Sequence, residues 1–246
     1  MLKYLKKHPF AVKAYFDYSA VLTYAVRPDE VRPLIPKCLD LNLFQDEWAF
    51  LAAAIVKTKA MRPARFPKWL GRSFFLIGYR IFVNYKTLAG RKLRGLYILG
   101  SDTDKRFMQI SGNLFTHYNY RTVDIEANDD NDIISVSSLR SGLNVRLNQN
   151  NSSKDIELPE SSPFATWREA RRFAGPMPFT FTYQKKEHSV LIIEGKRQSW
   201  TPVPALVEHE DVSFFAEMKL TECRLANAFV VKDVPYEWTQ GKIEKL

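Results

Sequence analysis

The sequence predicts a mainly β protein of the α+β class, an antiparallel barrel or sandwich with a few short helices. Segments rich in β-branched and aromatic residues recur along most of the chain, and turn-forming residues separate them. Helical signals are confined to short segments that do not alternate regularly with the strands, so a parallel doubly wound sheet is not expected. We expect residues 1–246 to form a single domain.

The first half of the chain is predicted to be mostly strand. A strand at residues 15–26 runs into a short helix that opens at Pro28, where a proline needs no amide partner and Asp29 and Glu30 meet exposed N–H groups. Alternating or continuous apolar runs then predict strands at residues 39–44, 48–58, 74–85 and 94–101, the last two forming a hairpin.

The second half adds shorter strands and one helix. The helix is predicted within the segment PFATWREARRFAG (163–175), with Ser162 as its N-cap, Pro163 in its first turn and Gly175 beyond its end. The polar segment before it, residues 148–162, is interpreted as an exposed loop within the domain. Strands are predicted at residues 123–125, 133–138, 143–147, 179–184, 189–195, 213–220 and 225–231.

The composition argues for a cytoplasmic globular protein. Hydrophobic residues make up 46% of the chain, but no apolar run approaches the roughly 20 residues that a membrane-spanning helix needs. The basic N-terminus lacks the apolar stretch of a signal peptide. Cys38 and Cys223 are far apart and form neither a disulfide framework nor a metal-ligand spacing, so they are interpreted as thiols in a reducing compartment.

Positive charge is concentrated in the first half, where residues 1–120 hold 20 Lys+Arg against 8 Asp+Glu. The densest part, Lys57–Arg72, spaces cations with prolines, a Phe and a Trp. This pattern is typical either of a solvated loop or of a surface that binds nucleic acid or anionic membrane headgroups. No nucleic-acid-binding motif frames the segment, so no nucleic-acid partner is expected.

The stretch LFTHYNYR, Leu114–Arg121, concentrates polar and aromatic groups typical of a recognition site. His117 is the best candidate for a general acid or base, against the alternative of a structural histidine. His209 lies among three carboxylates, but consecutive residues rarely converge on one ion, so no metal site is predicted. Nucleotide-binding and serine-nucleophile motifs are absent, and no cofactor is predicted.

Four short sequence motifs, taken in order, resemble those of the acetoacetate decarboxylase superfamily, and of its uncharacterised YqjF-like branch in particular. They are VRPLIPKCLDL (31–41), GYRIFV (78–83), HYNYRT (117–122) and SWTPVPA (199–205). The resemblance covers roughly residues 15–235. It implies a mainly β barrel or cone that encloses a pocket, and assembly into a homo-oligomer.

The same resemblance implies that the family's Schiff-base chemistry is missing. The decarboxylases carry paired lysines in the mid-chain turn, and these positions correspond to Asn119 and Tyr120, neither of which forms an imine. No lysine occurs between Arg106 and Arg140. The family's supporting glutamate corresponds approximately to Leu76 and its substrate-side arginine lies near Asp17.

We therefore expect a pocket that binds a small, anionic, partly apolar molecule, with or without a reaction on it. Arg80 and Arg121 are predicted to clamp its carboxylate or phosphate, with Asn119 and Tyr120 as orienting hydrogen bonders. For an enzyme, Asp17 is the expected titratable partner of His117. Two alternatives stay open. One is surface binding through residues 57–72, and the other is a decarboxylase with a displaced lysine such as Lys105.

Overall fold

The computed structural model describes residues 5–130, 132–149, 157–175 and 177–246. Strand is the dominant element, as the sequence predicts. The strands are β1 (Val12–Val26), β2 (Asp40–Leu41), β3 (Ala49–Pro63), β4 (Arg72–Lys86), β5 (Lys92–Thr103), β6 (Tyr120–Thr122), β7 (Glu126–Asp130), β8 (Ile133–Ser138), β9 (Leu143–Asn148), β10 (Phe179–Gln184), β11 (Ser189–Arg197), β12 (Val203–Pro204), β13 (Leu206–Val212), β14 (Cys223–Trp238) and β15 (Lys242–Lys245).

The helices are short and lie between strands. They are α1 (Pro28–Val31), α2 (Arg106–Phe115), α3 (Trp167–Phe173) and α4 (Ser213–Ala216), with 3-10 turns at Arg32–Leu34, Lys68–Leu70 and Lys185–Glu187. None of the helices in the described ranges has the length and apolar character to cross a membrane.

Seven strands close into a ring in the order β14-β1-β3-β4-β5-β10-β11, because β11 pairs again with β14. Every pairing around the ring is antiparallel except β5 with β10, which is parallel over three residues. This architecture confirms the predicted mainly β barrel or cone. A second, four-stranded antiparallel sheet has the order β13-β9-β8-β7.

Side-chain alternation divides the apolar core into two clusters, one on each face of the long strands. On β4, Ile77, Tyr79 and Ile81 belong to the cluster that also holds buried residues of the second sheet. Leu76 and Phe82 belong to the other cluster, together with buried residues of α2 and α3. The face of β4 that carries the even-numbered side chains is therefore the face turned into the ring.

Two predicted strands differ from the structure. Residues 123–125 follow β6 and are not a strand, although Val123 is buried. The predicted strand 213–220 begins with α4, because Phe214 and Phe215 both pack on the ring of Tyr79, with centroids 3.9 and 5.9 Å away. Local sequence shows only that these residues are apolar, and the tertiary partner decides their conformation.

Two helix predictions also need correction. Helix α3 starts later than predicted, because Thr166 rather than Ser162 is its N-cap and accepts a hydrogen bond from the backbone N–H of Glu169 at 3.2 Å. Helix α2 was not predicted, since its sequence RFMQISGNLF includes the weak helix former Gly112. The exposed loop predicted at 148–162 falls partly on residues 150–156, which lie outside the described residues.

The segment Lys57–Arg72 is not one loop. Its first part belongs to β3, where Lys57 pairs with Asp129 and Lys59 pairs with Asp17. The residues of this segment that are solvent-exposed are Lys59, 65–70 and Arg72. The positively charged surface predicted from the sequence is therefore smaller than residues 57–72.

Candidate functional site

A cavity of about 470 Å³ lies on the inner face of the ring, a volume suited to a small-molecule ligand. Strands β1, β3, β4, β5 and β14 form much of its wall, and α2 and the C-terminal end of β11 contribute to it. Small side chains at Ser19 and Ala52, on adjacent strands, leave room for it. Most of the lining is apolar and includes Phe16, Val21, Leu76, Phe82 and Phe229.

Arg80 places a cation on this apolar wall. It follows Gly78 on the inner face of β4, and the missing side chain of Gly78 makes room for it, since a Cβ there would lie 2.9 Å from Arg80 Nε. Nε is buried, and Arg80 has no salt bridge or hydrogen bond to any described residue. Burial lowers the pKa of the guanidinium, but arginine stays protonated in proteins, so the charge remains without a partner.

Three phenols surround this charge. Tyr118, Tyr120 and Tyr236 line the cavity and interact electrostatically with Arg80. Burial raises the pKa of all three, so each keeps its proton and can donate a hydrogen bond. The Tyr118 hydroxyl is buried, with the Thr180 hydroxyl beside it as a potential donor, and it donates no hydrogen bond to a described residue. Arg80 and Tyr118 are thus donors that the described chain does not satisfy.

A second cation, Arg197, lies near the same aromatic wall. Its guanidinium carbon is 4.3 Å from the centroid of the Trp200 ring and 5.9 Å from that of Tyr236. Burial lowers its pKa. Trp200 Nε1 is buried and has no acceptor in the described part of the chain. This side of the cavity therefore offers a cation and an indole donor beside flat apolar surfaces.

The charge of the lining is entirely positive. The described residues that line the cavity include no aspartate, glutamate or lysine, and its arginines are Arg62, Arg72, Arg80 and Arg197. Its only histidine among those residues is His8, whose pKa burial lowers below the ordinary value, so that the neutral imidazole is favoured. The sequence offered no signal for His8, because it follows a run of basic residues near the N-terminus. The described lining therefore carries a net positive charge.

The structure brings together only two of the predicted site residues. Arg80 and Tyr120 line the cavity. Asn119 is exposed, with φ of +53°, and is not among the lining residues. Arg121 follows Tyr120 on β6 and is directed to the other face, so the predicted clamp of Arg80 with Arg121 is not assembled. Besides Arg80, the arginines of the cavity lining are Arg62, Arg72 and Arg197.

The predicted acid–base pair does not reach the cavity either. Asp17 forms a salt bridge of 2.6 Å with Lys59. His117 is half-buried outside the lining, and burial, followed by the charge of Lys6, lowers its pKa. Lys105 is exposed, forms a 3.0 Å salt bridge with Asp104 and also lies outside the lining. A lysine displaced to this position is therefore not directed at the pocket.

A complete polar cluster occupies the opposite face of the same wall. Asp102 is fully buried and accepts two hydrogen bonds from Arg121, from Nε at 2.8 Å and from Nη2 at 3.0 Å. The Tyr79 hydroxyl donates to the same carboxylate at 3.1 Å. Here the protein supplies both charges of the ion pair, so this cluster needs no ligand.

The chain belongs to the DUF2071 family, described as an uncharacterized conserved protein, whose sequence profile matches residues 14–235. No curated protein matches the sequence.

Solved structures that resemble the chain are acetoacetate decarboxylases and related enzymes. Acetoacetate decarboxylase from Legionella pneumophila is 8% identical, with a TM-score of 0.60 over 96% of this chain and 87% of that one. The enduracididine biosynthesis enzyme MppR, complexed with pyruvate, is 9% identical, with a TM-score of 0.56 over 96% and 90%. An acetoacetate decarboxylase-like enzyme from Sphingomonas wittichii is 12% identical, with a TM-score of 0.56 over 96% and 92%. These likenesses confirm the fold that the sequence motifs implied.

Proposed function

We propose that the protein binds a small molecule with one anionic group and an apolar body in the barrel cavity, and that the anionic group pairs with Arg80. The observation that carries the proposal is a guanidinium on the cavity wall, with its Nε buried, that has no counter-ion or hydrogen-bond acceptor among the described residues. A buried charge without a partner is costly, and a bound anion removes that cost.

The surroundings of Arg80 narrow the ligand class. Protonated phenols at Tyr118 and Tyr120 supply donors for a carboxylate or phosphate oxygen, and the aromatic and aliphatic lining receives the apolar part. The pyruvate complexed with MppR is a small keto carboxylate and belongs to the same chemical class. We favour carboxylates with an aryl or short alkyl body over highly polar anions, because most of the cavity wall is apolar.

We further propose that binding is non-covalent and that the protein is not a Schiff-base decarboxylase. The motif positions of the paired lysines hold Asn119 and Tyr120, neither of which forms an imine, and no lysine occurs among the described residues of the cavity lining. Borohydride reduction with acetoacetate or pyruvate is expected to leave the protein mass unchanged. A mass increase located by peptide mapping to Lys105 would instead support the decarboxylase with a displaced lysine.

The test of ligand binding starts with native mass spectrometry of freshly purified protein, followed by denaturation to release any co-purified molecule. Calorimetry with the released compound, or with phenylacetate and octanoate, then compares wild type, Arg80→Gln and the surface control Arg91→Gln. Loss of a charged hydrogen bond predicts about 10- to 100-fold weaker binding for Arg80→Gln. Equal affinity in all three proteins would contradict the proposal.

Several earlier predictions remain open to direct test. His117 could act as general acid or base in a reaction on the bound molecule. Comparing the turnover of His117→Gln with that of His8→Gln tests this assignment, because His8 is the histidine whose imidazole lines the cavity. Loss of turnover only in His117→Gln would support the original assignment. Homo-oligomeric assembly, a cytoplasmic location and a single domain over residues 1–246 likewise stay predictions, the first from the resemblance and the others from composition.

A further inference from the structure

Exposed apolar side chains cluster beside the entrance of the cavity. Phe66, Leu70 and Phe107 line the cavity yet are exposed by 53%, 43% and 40%, so the cavity opens to solvent at this point. Trp69, 80% exposed, lies next to Leu70, and Ile110, 69% exposed, lies one turn after Phe107 on α2. We call these five residues, with the cations between them, the rim patch. Apolar side chains that are both exposed and contiguous mark an interaction surface.

The cations of the rim patch outnumber the carboxylates near them, of which Asp104 is already paired with Lys105 at 3.0 Å. Arg65, Lys68, Arg72 and Arg106 are exposed, and none forms a salt bridge with a residue in the described ranges. The sequence contains no aspartate or glutamate between Glu47 and Asp102. The patch therefore combines exposed aromatic and aliphatic side chains with a local excess of positive charge.

We propose that the rim patch docks on the surface of an anionic lipid membrane. Lysine and arginine pair with lipid phosphates, tryptophan is favoured at the headgroup level, and Leu, Ile and Phe side chains insert at the boundary of the acyl chains. The cavity opens between these residues, so docking would place its entrance against the lipid. A partly apolar ligand then exchanges with the membrane without crossing water.

Charge and side-chain type distinguish this partner from two others. A second copy of the chain, related by a two-fold axis, would place the patch against itself and bring like charges together. A single-stranded nucleic acid would pair its phosphates with the cations and stack a base on Trp69, but Leu70 and Ile110 cannot stack with bases. An anionic lipid surface satisfies both the charged and the aliphatic members of the patch.

The test is co-sedimentation with phosphatidylcholine vesicles, with and without phosphatidylserine, at low and high salt. The rim variant Arg65→Gln/Lys68→Gln/Arg106→Gln avoids the cavity lining and removes three charges. The control Lys86→Gln/Arg91→Gln/Lys92→Gln removes three exposed charges from the β4–β5 hairpin, which also carries the exposed Leu88. A separate variant, Trp69→Ser, tests the apolar contribution.

Wild type and the hairpin control are expected to bind the phosphatidylserine vesicles, with binding on the order of 100-fold weaker for the rim variant and screened by salt. The proposal is overturned if wild type stays in the supernatant, or if the rim and hairpin variants bind equally. It is also overturned if sedimentation velocity without lipid shows that the rim variant dissolves an oligomer. Arg80→Gln is expected to bind vesicles like wild type, which separates this proposal from the cavity ligand.

Discussion

Two arginines on the two faces of one wall of the barrel have opposite surroundings. Arg121 has a side chain that is 57% exposed, yet it forms two hydrogen bonds with the fully buried Asp102. Arg80 lies inside the cavity wall, and no described residue supplies an acceptor to it. The tyrosines near the two arginines differ in their hydrogen bonding. Tyr79 donates to Asp102, whereas the Tyr118 hydroxyl donates to no described residue.

The difference shows how a structural polar cluster is distinguished from a binding site. When the chain supplies both charges, as on the Asp102 face, the cluster stabilises the fold by itself. When the chain buries a cation without its counter-charge, the folded state has an unfavourable desolvation energy, which a bound anion offsets. Matched substitutions on the two faces are therefore expected to have effects of opposite sign.

The largest effect is expected on the Asp102 face. Arg121→Met leaves the buried Asp102 carboxylate with Tyr79 as its remaining side-chain donor, so we expect the free energy of unfolding to fall by about 2–3 kcal/mol. Part of the usual cost is offset by solvent, since the arginine is largely exposed. Urea unfolding measures this change. An unchanged midpoint would show that solvent already screens the ion pair.

Arg80→Met should change stability in the opposite direction. The substitution removes a buried charge that has no described protein partner and replaces it with an apolar side chain of similar length. Without ligand, we expect the free energy of unfolding to rise by about 1–2 kcal/mol. Urea unfolding with a saturating ligand should erase this advantage, because only wild type is stabilised by binding. A destabilisation as large as that of Arg121→Met would indicate a structural role for Arg80.

The phenols provide a smaller version of the same contrast. Tyr79→Phe removes the hydrogen bond to Asp102 and should lower the free energy of unfolding by about 1 kcal/mol. Tyr118→Phe removes a buried hydroxyl that donates to no described residue and should leave stability unchanged or slightly higher, while weakening ligand binding. Thermal unfolding of the two variants, side by side, measures the difference. An equal loss of stability in the two variants would contradict the distinction between the two faces.

The smallest effect concerns pH. Burial lowers the pKa of His8 below its ordinary value of 6.5 in the folded protein, so the unfolded chain binds more protons as the pH falls through that value. Stability is therefore complete above pH 6.5 and declines below it. His8→Gln should flatten the decline in urea midpoint between pH 7 and pH 5. If His8→Gln and wild type have parallel profiles, the decline comes from other groups such as His117.

The fold was predictable in outline because its signals are local or carried by motifs. Strands such as β8 and β10 were predicted with the observed bounds, since their alternation has period two. The position of Arg80 within GYRIFV was also a correct guide to the wall of the cavity. Helix α2 and the α4 segment were missed, because packing against Tyr120 and Tyr79 decides their conformation.

The candidate site was predictable only in part. His8, Arg197, Trp200 and Tyr236 come from distant segments of the chain, and no spacing in the sequence connects them. Neighbouring positions in HYNYRT, by contrast, are divided between environments, because Tyr120 faces the cavity and Arg121 faces Asp102. A motif identifies residues that are close along the chain, but side-chain alternation directs half of them to the opposite face of the sheet.

The sequence by itself determined the mainly β class, the family resemblance, the basic first half and the absence of any lysine between Arg106 and Arg140. These properties depend on composition, local periodicity and motif order. Tertiary structure decided that Arg121 has an acceptor within the chain and that Arg80 has none among the described residues. That distinction depends on whether a carboxylate from another strand lies within about 3 Å, a distance that only the closed barrel sets.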